Sequence, residues 1–267
     1  MSRPSPAFAA ATAWMPKGWG DAGRQLAILV GVDLIYDLGR GVADSSRASA
    51  IHHGSQVIDF ERSTHTLFEP DLQKFFLPAH WTIDLANFLY LNAQFTIALG
   101  FLIWLYLFRN ESYYFVRNMF VVSMCLALIG YIGFPCAPPR MFPGEGFVDT
   151  VTKYSSVNSH SSLAKVFINP YAAVPSMHCA FALMIGASGV AVCRHWWAKV
   201  WWAFWPILIA WVVIVTANHY WVDWALGWLV ALASFAIAKG ALARWKPEAW
   251  DWRQSGASRA RPREVEA

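Results

Sequence analysis

Two histidines, one aspartate, one serine and two arginines have the types and spacing to do chemistry in this sequence. His219 and Asp223 are four residues apart, so on a helix they share a face. A carboxylate so placed accepts Nδ1–H and leaves Nε2 bare, as nucleophile or base. Pro175-Ser176-Met177-His178 reads as the first turn of a helix. Free N–H groups and the helix dipole there hold an anion, and His178 sits in that turn. Arg140 follows Pro138 and Pro139, which keep it on a stiff extended segment, and its planar guanidinium suits a phosphate. Each feature alone has a plainer reading: a histidine bonded to an interfacial aspartate, an interfacial histidine without a role, a snorkelling arginine. Together they are the parts of a phosphoryl-transfer site with a histidine nucleophile. Metal ligation by His178, His219 and Asp223 is a second reading, ranked lower because Arg140 and the helix start supply positive charge without a metal.

The elements that must position these residues are membrane helices. The chain has 267 residues, 57% of them apolar and only 14% charged, with 16 Trp and 18 Phe. A soluble domain carries about 25% charge, so a water-soluble globule, a disordered chain and a collagen are excluded. Four cysteines (Cys125, Cys136, Cys179, Cys193) are too scattered for a disulfide framework or a zinc site. A crossing helix needs about 20 mostly apolar residues. Leu85 to Phe108, Asn169 to Cys193 and Val200 to Val222 lack Asp, Glu, Lys and Arg altogether. Tyr113 to Phe134 has only Arg117, and Asp223 to Ala243 only Lys239 beyond its first residue. Gln25 to Ala43 contains Asp33, Asp37 and Arg40, and counts as a span because ionisable residues can face a bundle interior. The expected fold is therefore an all-α integral membrane bundle of six transmembrane helices, with both termini on one side.

If the termini are cytoplasmic, 14 of the 21 Lys and Arg fall inside and 7 outside, as the positive-inside rule requires. The run Trp196, Trp197, Trp201, Trp202, Trp205 then reads as an aromatic belt at the inner interface. Residues 1–20 and 247–267 read as cytoplasmic tails, the second basic, around a membrane domain at 21–246. Apolar residues at mixed helical spacing in the outer loop 44–80 suggest helices lying in the interface. The segments 134–140, 173–178 and 216–223 all fall at the outer surface, one depth for a composite site. Two rival classes follow from the bundle alone, a transporter of lipids or small molecules and a haem-binding redox protein. A transporter gathers its polar groups near mid-membrane, and a b-type haem wants histidines deep in the spans. Neither pattern is present in the sequence.

These residues resemble the type 2 phosphatidic acid phosphatase superfamily, whose pattern is K-x6-R-P, then P-S-G-H, then S-R-x5-H-x3-D. Arg140 stands for the first Arg, Pro175-Ser176-Met177-His178 for the second motif, and His219 with Asp223 for the third. The variants A-P-P-R, V-P-S-M-H and N-H-Y-W-V-D look most like the branch containing inositol-phosphorylceramide synthases. Met177 stands where the pattern has Gly, Val213 where it has the Arg before the last His, and Gly133 where it has the Lys. Arg40 is the substitute cation this chain offers, its other reading being an ion pair with Asp37 one turn back. The resemblance implies attack by His219 to form a phosphohistidine, Asp223 holding the imidazole, and His178 as acid and then base. Arg140, Ser176 and Arg40 would bind the phosphoryl group. No cofactor or metal is implied. The implied partners are the membrane, a lipid phosphate or phospholipid, and water or an alcohol such as inositol or a sugar as acceptor; nucleic acid has no part.

Overall fold

The computed structural model describes residues 15–42, 47–92, 96–154 and 171–245, and there the chain is almost wholly helical. The helices are α1 (Gly18–Val42), α2 (Arg47–Ser63), α3 (Glu69–Phe76), α4 (His80–Asn92), α5 (Ala98–Phe108), α6 (Asn110–Gly133) and α7 (Thr150–Tyr154). After them come α8 (Met177–Val192), α9 (Trp196–Val215) and α10 (Trp221–Ile237), the last continuing through a π-helical turn, Ala238–Leu242, to Trp245. Asn110–Gly133, Trp196–Val215 and Trp221–Trp245 are each long and apolar enough to cross a membrane; Ala98–Phe108 and Met177–Val192 are shorter apolar helices. Leu38, Phe88, Ile103, Ile129, Ile207 and Leu229 lie on the outside with half or more of their surface open. In water that would be costly; against lipid it is the expected exterior. This is an all-α membrane protein.

The central helix is α8, which packs on α9, α10, α6 and α5. Small residues allow the close approach. A Cβ on Gly186 would sit 2.6 Å from the Trp202 carbonyl oxygen and 2.9 Å from Pro206 Cδ. Trp202 and Trp205 therefore turn inward, while Trp196, Trp197 and Trp201 stay exposed; only part of the tryptophan run faces outward as a belt would.

Several helix limits differ from the windows of apolarity. The fourth window begins at Asn169, but its helix begins at Met177. Pro175 disfavours helical geometry in Val174 before it, and Ser176 takes the N-cap, its Oγ accepting from Cys179 N–H at 3.4 Å. The fifth window runs to Val222, but α9 stops at Val215, because Thr216–Tyr220 carry the turn that the site needs. The second window corresponds to two helices, α4 and α5, with 93–95 outside the described residues. Helix α1 starts at Gly18, inside the stretch expected as a tail; residues 1–14 and 246–267 lie outside the described residues. Within residues 44–80, where helices were expected, the chain forms α2 and α3.

Candidate active site

Backbone pairing draws the three polar segments together before any side chain acts. After α6, Cys136 N–H donates to Tyr171 O at 2.8 Å and Ala173 N–H donates back to Cys136 O at 3.3 Å. Arg140 N–H donates to Ala217 O at 2.8 Å, and Ser176 N–H to Asp223 O at 3.0 Å. The last bond requires α10 to touch the start of α8. Gly227 permits it: a Cβ there would lie 2.2 Å from the Ser176 carbonyl oxygen. The end of α6, the start of α8 and the α9–α10 turn thus form one end of the bundle.

His219 sits in that turn, outside the spanning helices, and is 5% exposed. Its Nδ1 is 3.3 Å from Asp223 Oδ2. The same oxygen accepts Tyr220 N–H at 3.0 Å, so Asp223 both caps α10 and orients the ring. With the proton on Nδ1, Nε2 is left with its lone pair. Burial, and then the charge of Arg140, hold His219 well below the ordinary histidine range, at about 3. The imidazole is therefore neutral at neutral pH, the form a nucleophile needs. The ring also meets the backbone of Ala173.

His178 lies in the first turn of α8, its ring centroid 5.9 Å from that of His219. It is the more open of the two rings. The sequence offers it no partner, but the structure does: Tyr90 of α4 stacks on it at 4.5 Å with the planes 21° apart. The ring is also hydrogen-bonded to the Tyr90 backbone. One nitrogen is thereby engaged, which fixes the other as the one available for proton transfer. The Tyr90 side chain bonds to Arg140. Sequence reasoning missed Tyr90 because a tyrosine in an apolar span reads as packing; its only signal was a phenol at membrane depth.

The Arg140 guanidinium donates to Asn218 Oδ1, which fastens it to the residue before His219. Asn218 is itself held by Thr216, donating to its Oγ1 at 2.9 Å and its carbonyl at 3.2 Å. Arg40 makes the ion pair with Asp37, at 3.7 Å, and lies against the Tyr36 ring. Its charge also acts on His178 and Tyr90, so the pair does not remove it from the site. Ser176 is fully buried, its Oγ is spent on the helix cap, and its N–H on Asp223. Of the N–H groups a helix start leaves over, those of Met177 and His178 remain. Met177 is buried. Arg140, Asp223, His178, His219 and Ser176 are brought together, with Arg40 within electrostatic reach. Among the described residues no three His, Cys, Asp or Glu side chains gather as a metal site would require.

A family model described as the PAP2 superfamily matches residues 55–237. Comparison with curated proteins and with solved structures found no match. The matched stretch includes Arg140, Ser176, His178, His219 and Asp223 and leaves Arg40 before it. It covers more than half of the 267 residues, so the chain belongs to the PAP2 superfamily.

Proposed function

We propose that the protein transfers a phosphoryl group from a lipid phosphate or phospholipid through a phosphohistidine on His219. Membership of the PAP2 superfamily supports the coarser statement, a phosphatase or phosphotransferase acting on a lipid phosphate. The observation that carries the finer one is the His219–Asp223 pair at 3.3 Å facing His178, with Arg140 tied to the same turn. In the first step His219 Nε2 attacks phosphorus, and the Nδ1–H bond to Asp223 stabilises the imidazolium that forms. The P–O bond to the lipid breaks, and His178 donates a proton to the leaving oxygen. In the second step His178 takes a proton from the incoming water or alcohol, whose oxygen attacks the phosphohistidine and restores His219. Arg140, Arg40 and the N–H groups of Met177 and His178 hold the oxygens on which charge collects. No step is routed through a metal or another cofactor.

A lipid substrate fits the surroundings. A groove of about 490 Å³ lined by Val57, Phe60, Phe134, Val174, Val222 and Leu226 adjoins the chain neighbours of Pro175 and Asp223. The variants V-P-S-M-H and N-H-Y-W-V-D resemble the inositol-phosphorylceramide synthase-like branch; an alcohol such as inositol or a sugar as acceptor gives head-group transfer, and water gives hydrolysis by the same groups. We place the protein in the cell membrane with six crossings, both termini in the cytoplasm and the site on the other side. The support is the charge asymmetry and the gathering of the site at one end of the bundle. A reporter active only outside the cytoplasm should work when fused after Gly144 and be silent after Ala267. The reverse would overturn the orientation.

The mechanism is tested by rapid-quench labelling with radiolabelled phosphatidic acid and with an aryl phosphate. Wild type should carry acid-labile, base-stable label. His219→Ala should carry none with either substrate, because the attacking atom is gone. His178→Ala should recover label with the aryl phosphate, whose leaving group, with a pKa of about 7, gains little from a proton donor. Label in His219→Ala and none in His178→Ala would exchange the two roles.

A further inference from the structure

Two carboxyl groups that this mechanism does not use lie fully buried against the same turn. Glu61, near the end of α2, and Glu69, the first residue of α3, are both 0% exposed. Glu69 Oε1 accepts Trp221 N–H at 2.8 Å, and Glu61 Oε1 accepts Val222 N–H at 3.4 Å. With Asp223 on Tyr220 N–H, three carboxyl groups cap three successive N–H groups at the start of α10. The residue before them is His219.

The second oxygen of each glutamate, Oε2, has no donor among the described residues. The two carboxyl groups are nevertheless within hydrogen-bonding reach of each other. Two ionised carboxylates so placed would repel and leave two buried acceptors face to face. A single proton between them turns that repulsion into a hydrogen bond and satisfies both oxygens. Asp223 and Tyr220 face the pair from the start of α10, and Cys136 from the segment after α6. All three are acids; against them stand only the N–H groups of Trp221 and Val222 at the helix start, one for each glutamate.

We propose that Glu61 and Glu69 share one proton and are positioning residues for His219, clamping the first N–H groups of α10 so that the turn before it and Asp223 stay in register. The inference rests on the reading of His219 as the nucleophile. Burial, and then the neighbouring carboxylate, push Glu61 up to about 9, and burial also raises Glu69. Because the group is raised, its protonated form is the clamping one. Turnover therefore falls as pH rises through about 9.

Infrared spectroscopy and kinetics on the purified full chain, with radiolabelled phosphatidic acid as probe, test this. Wild type should show a deuterium-sensitive protonated-carboxyl C=O band at neutral pH that disappears above about 9. Glu61→Gln keeps the neutral hydrogen-bonding shape, so it should lack that band and lose the alkaline fall in kcat. Glu61→Ala should lower kcat on the order of 100-fold with little change in KM, as a small displacement of a reacting group does. The glutamine variant should rescue that loss. Absence of the band in wild type, which needs no variant to fold, would overturn the shared proton. An alkaline limb unchanged in Glu61→Gln, or equal impairment of Gln and Ala variants, would overturn the positioning role. If the band behaves as stated but wild type carries no label on His219, the nucleophile reading fails and the proton pair stands.

Discussion

At the end of the bundle away from the site, Asp21 of α1 sits among donors. Its carboxylate accepts from Tyr114 Oη at 2.6 Å, Tyr106 Oη at 3.0 Å, Gln25 at 3.1 Å and Arg24 at 3.0 Å. Arg117 donates to Gln25 and Asn118, and the cluster ties α1, α5 and α6 together. At the site end, Asp223 Oδ1 is buried without a partner among the described residues, and Glu61 Oε2 and Glu69 Oε2 have none but the proton proposed to lie between them. A buried acceptor left unsatisfied costs about 1–3 kcal/mol. Both ends are polar, yet only one retains unused bonding capacity. A satisfied cluster has finished its work when the chain folds; an unsatisfied one is held open by the packing around it for something else to use.

The sharpest test of this difference is steric. In Gly227→Ala the new Cβ would meet backbone, the Ser176 carbonyl oxygen at 2.2 Å and Ser176 C at 3.1 Å. Backbone at a helix start cannot rotate away, so α10 must move off α8 and carry Asp223 from His178. Overpacking of this kind costs about 1–3 kcal/mol of stability. The loss in kcat should be larger, on the order of 100-fold or more, because the reacting groups part. Gly23→Ala near the opposite end of α1, where nothing lies within 4 Å of the new Cβ, should leave turnover unchanged. Equal activity of the two variants in a phosphate-release assay would remove the distinction between the ends.

Arg40 gives the next largest effect. Its ion pair with Asp37 is loose, at 3.7 Å, and its charge reaches the ring of His178. If it also holds a phosphoryl oxygen, Arg40→Ala should lower kcat/KM by about 2 kcal/mol, roughly thirtyfold. The helical content should be unchanged. A folded variant with near-normal turnover would return Arg40 to a structural role beside Asp37 and Tyr36, and Arg140 would be left as the site's cation.

What the sequence revealed of this end, and what it hid, divides along physical lines. The pairing of His219 and Asp223 was readable because only three residues separate them, although the contact runs from the turn before α10 to its first turn and not along one helix face. The three segments were readable as one site because each interrupts or bounds an apolar window, and the alternating direction of the spans brings the end of one and the start of the next to the same end of the bundle. Tyr90, Glu61 and Glu69 were not. Their contacts join residues far apart in sequence, as between Glu69 and Trp221. No period records such a contact. The windows also misplaced helix ends, since apolarity measures what lipid tolerates and not where a proline or cap stops the ladder.

The finest discrimination comes from one substitution made twice on α6. Tyr114 and Tyr131 are 17 residues apart, roughly 25 Å along the helix axis, so they stand at opposite ends. Tyr114 Oη donates to Asp21 at 2.6 Å; Tyr131 Oη donates to the Pro175 carbonyl at 3.1 Å and receives Tyr36 Oη at 3.2 Å. Tyr114→Phe removes one of four donors to a carboxylate that keeps the other three. Stability should fall by about 1 kcal/mol, read as a lower thermal midpoint in matched detergent, with kcat within about twofold of wild type. Tyr131→Phe removes the donor that fixes the peptide before Ser176, where the α8 start presents its N–H groups and His178. A comparable loss of stability should there be accompanied by a fall in kcat of several-fold, since displacement of a positioned group acts on the transition state. If Tyr114→Phe slows turnover as much as Tyr131→Phe, the far cluster is coupled to catalysis through α6. The contrast between a finished end and an open one would then give way to a single network running the length of the helix.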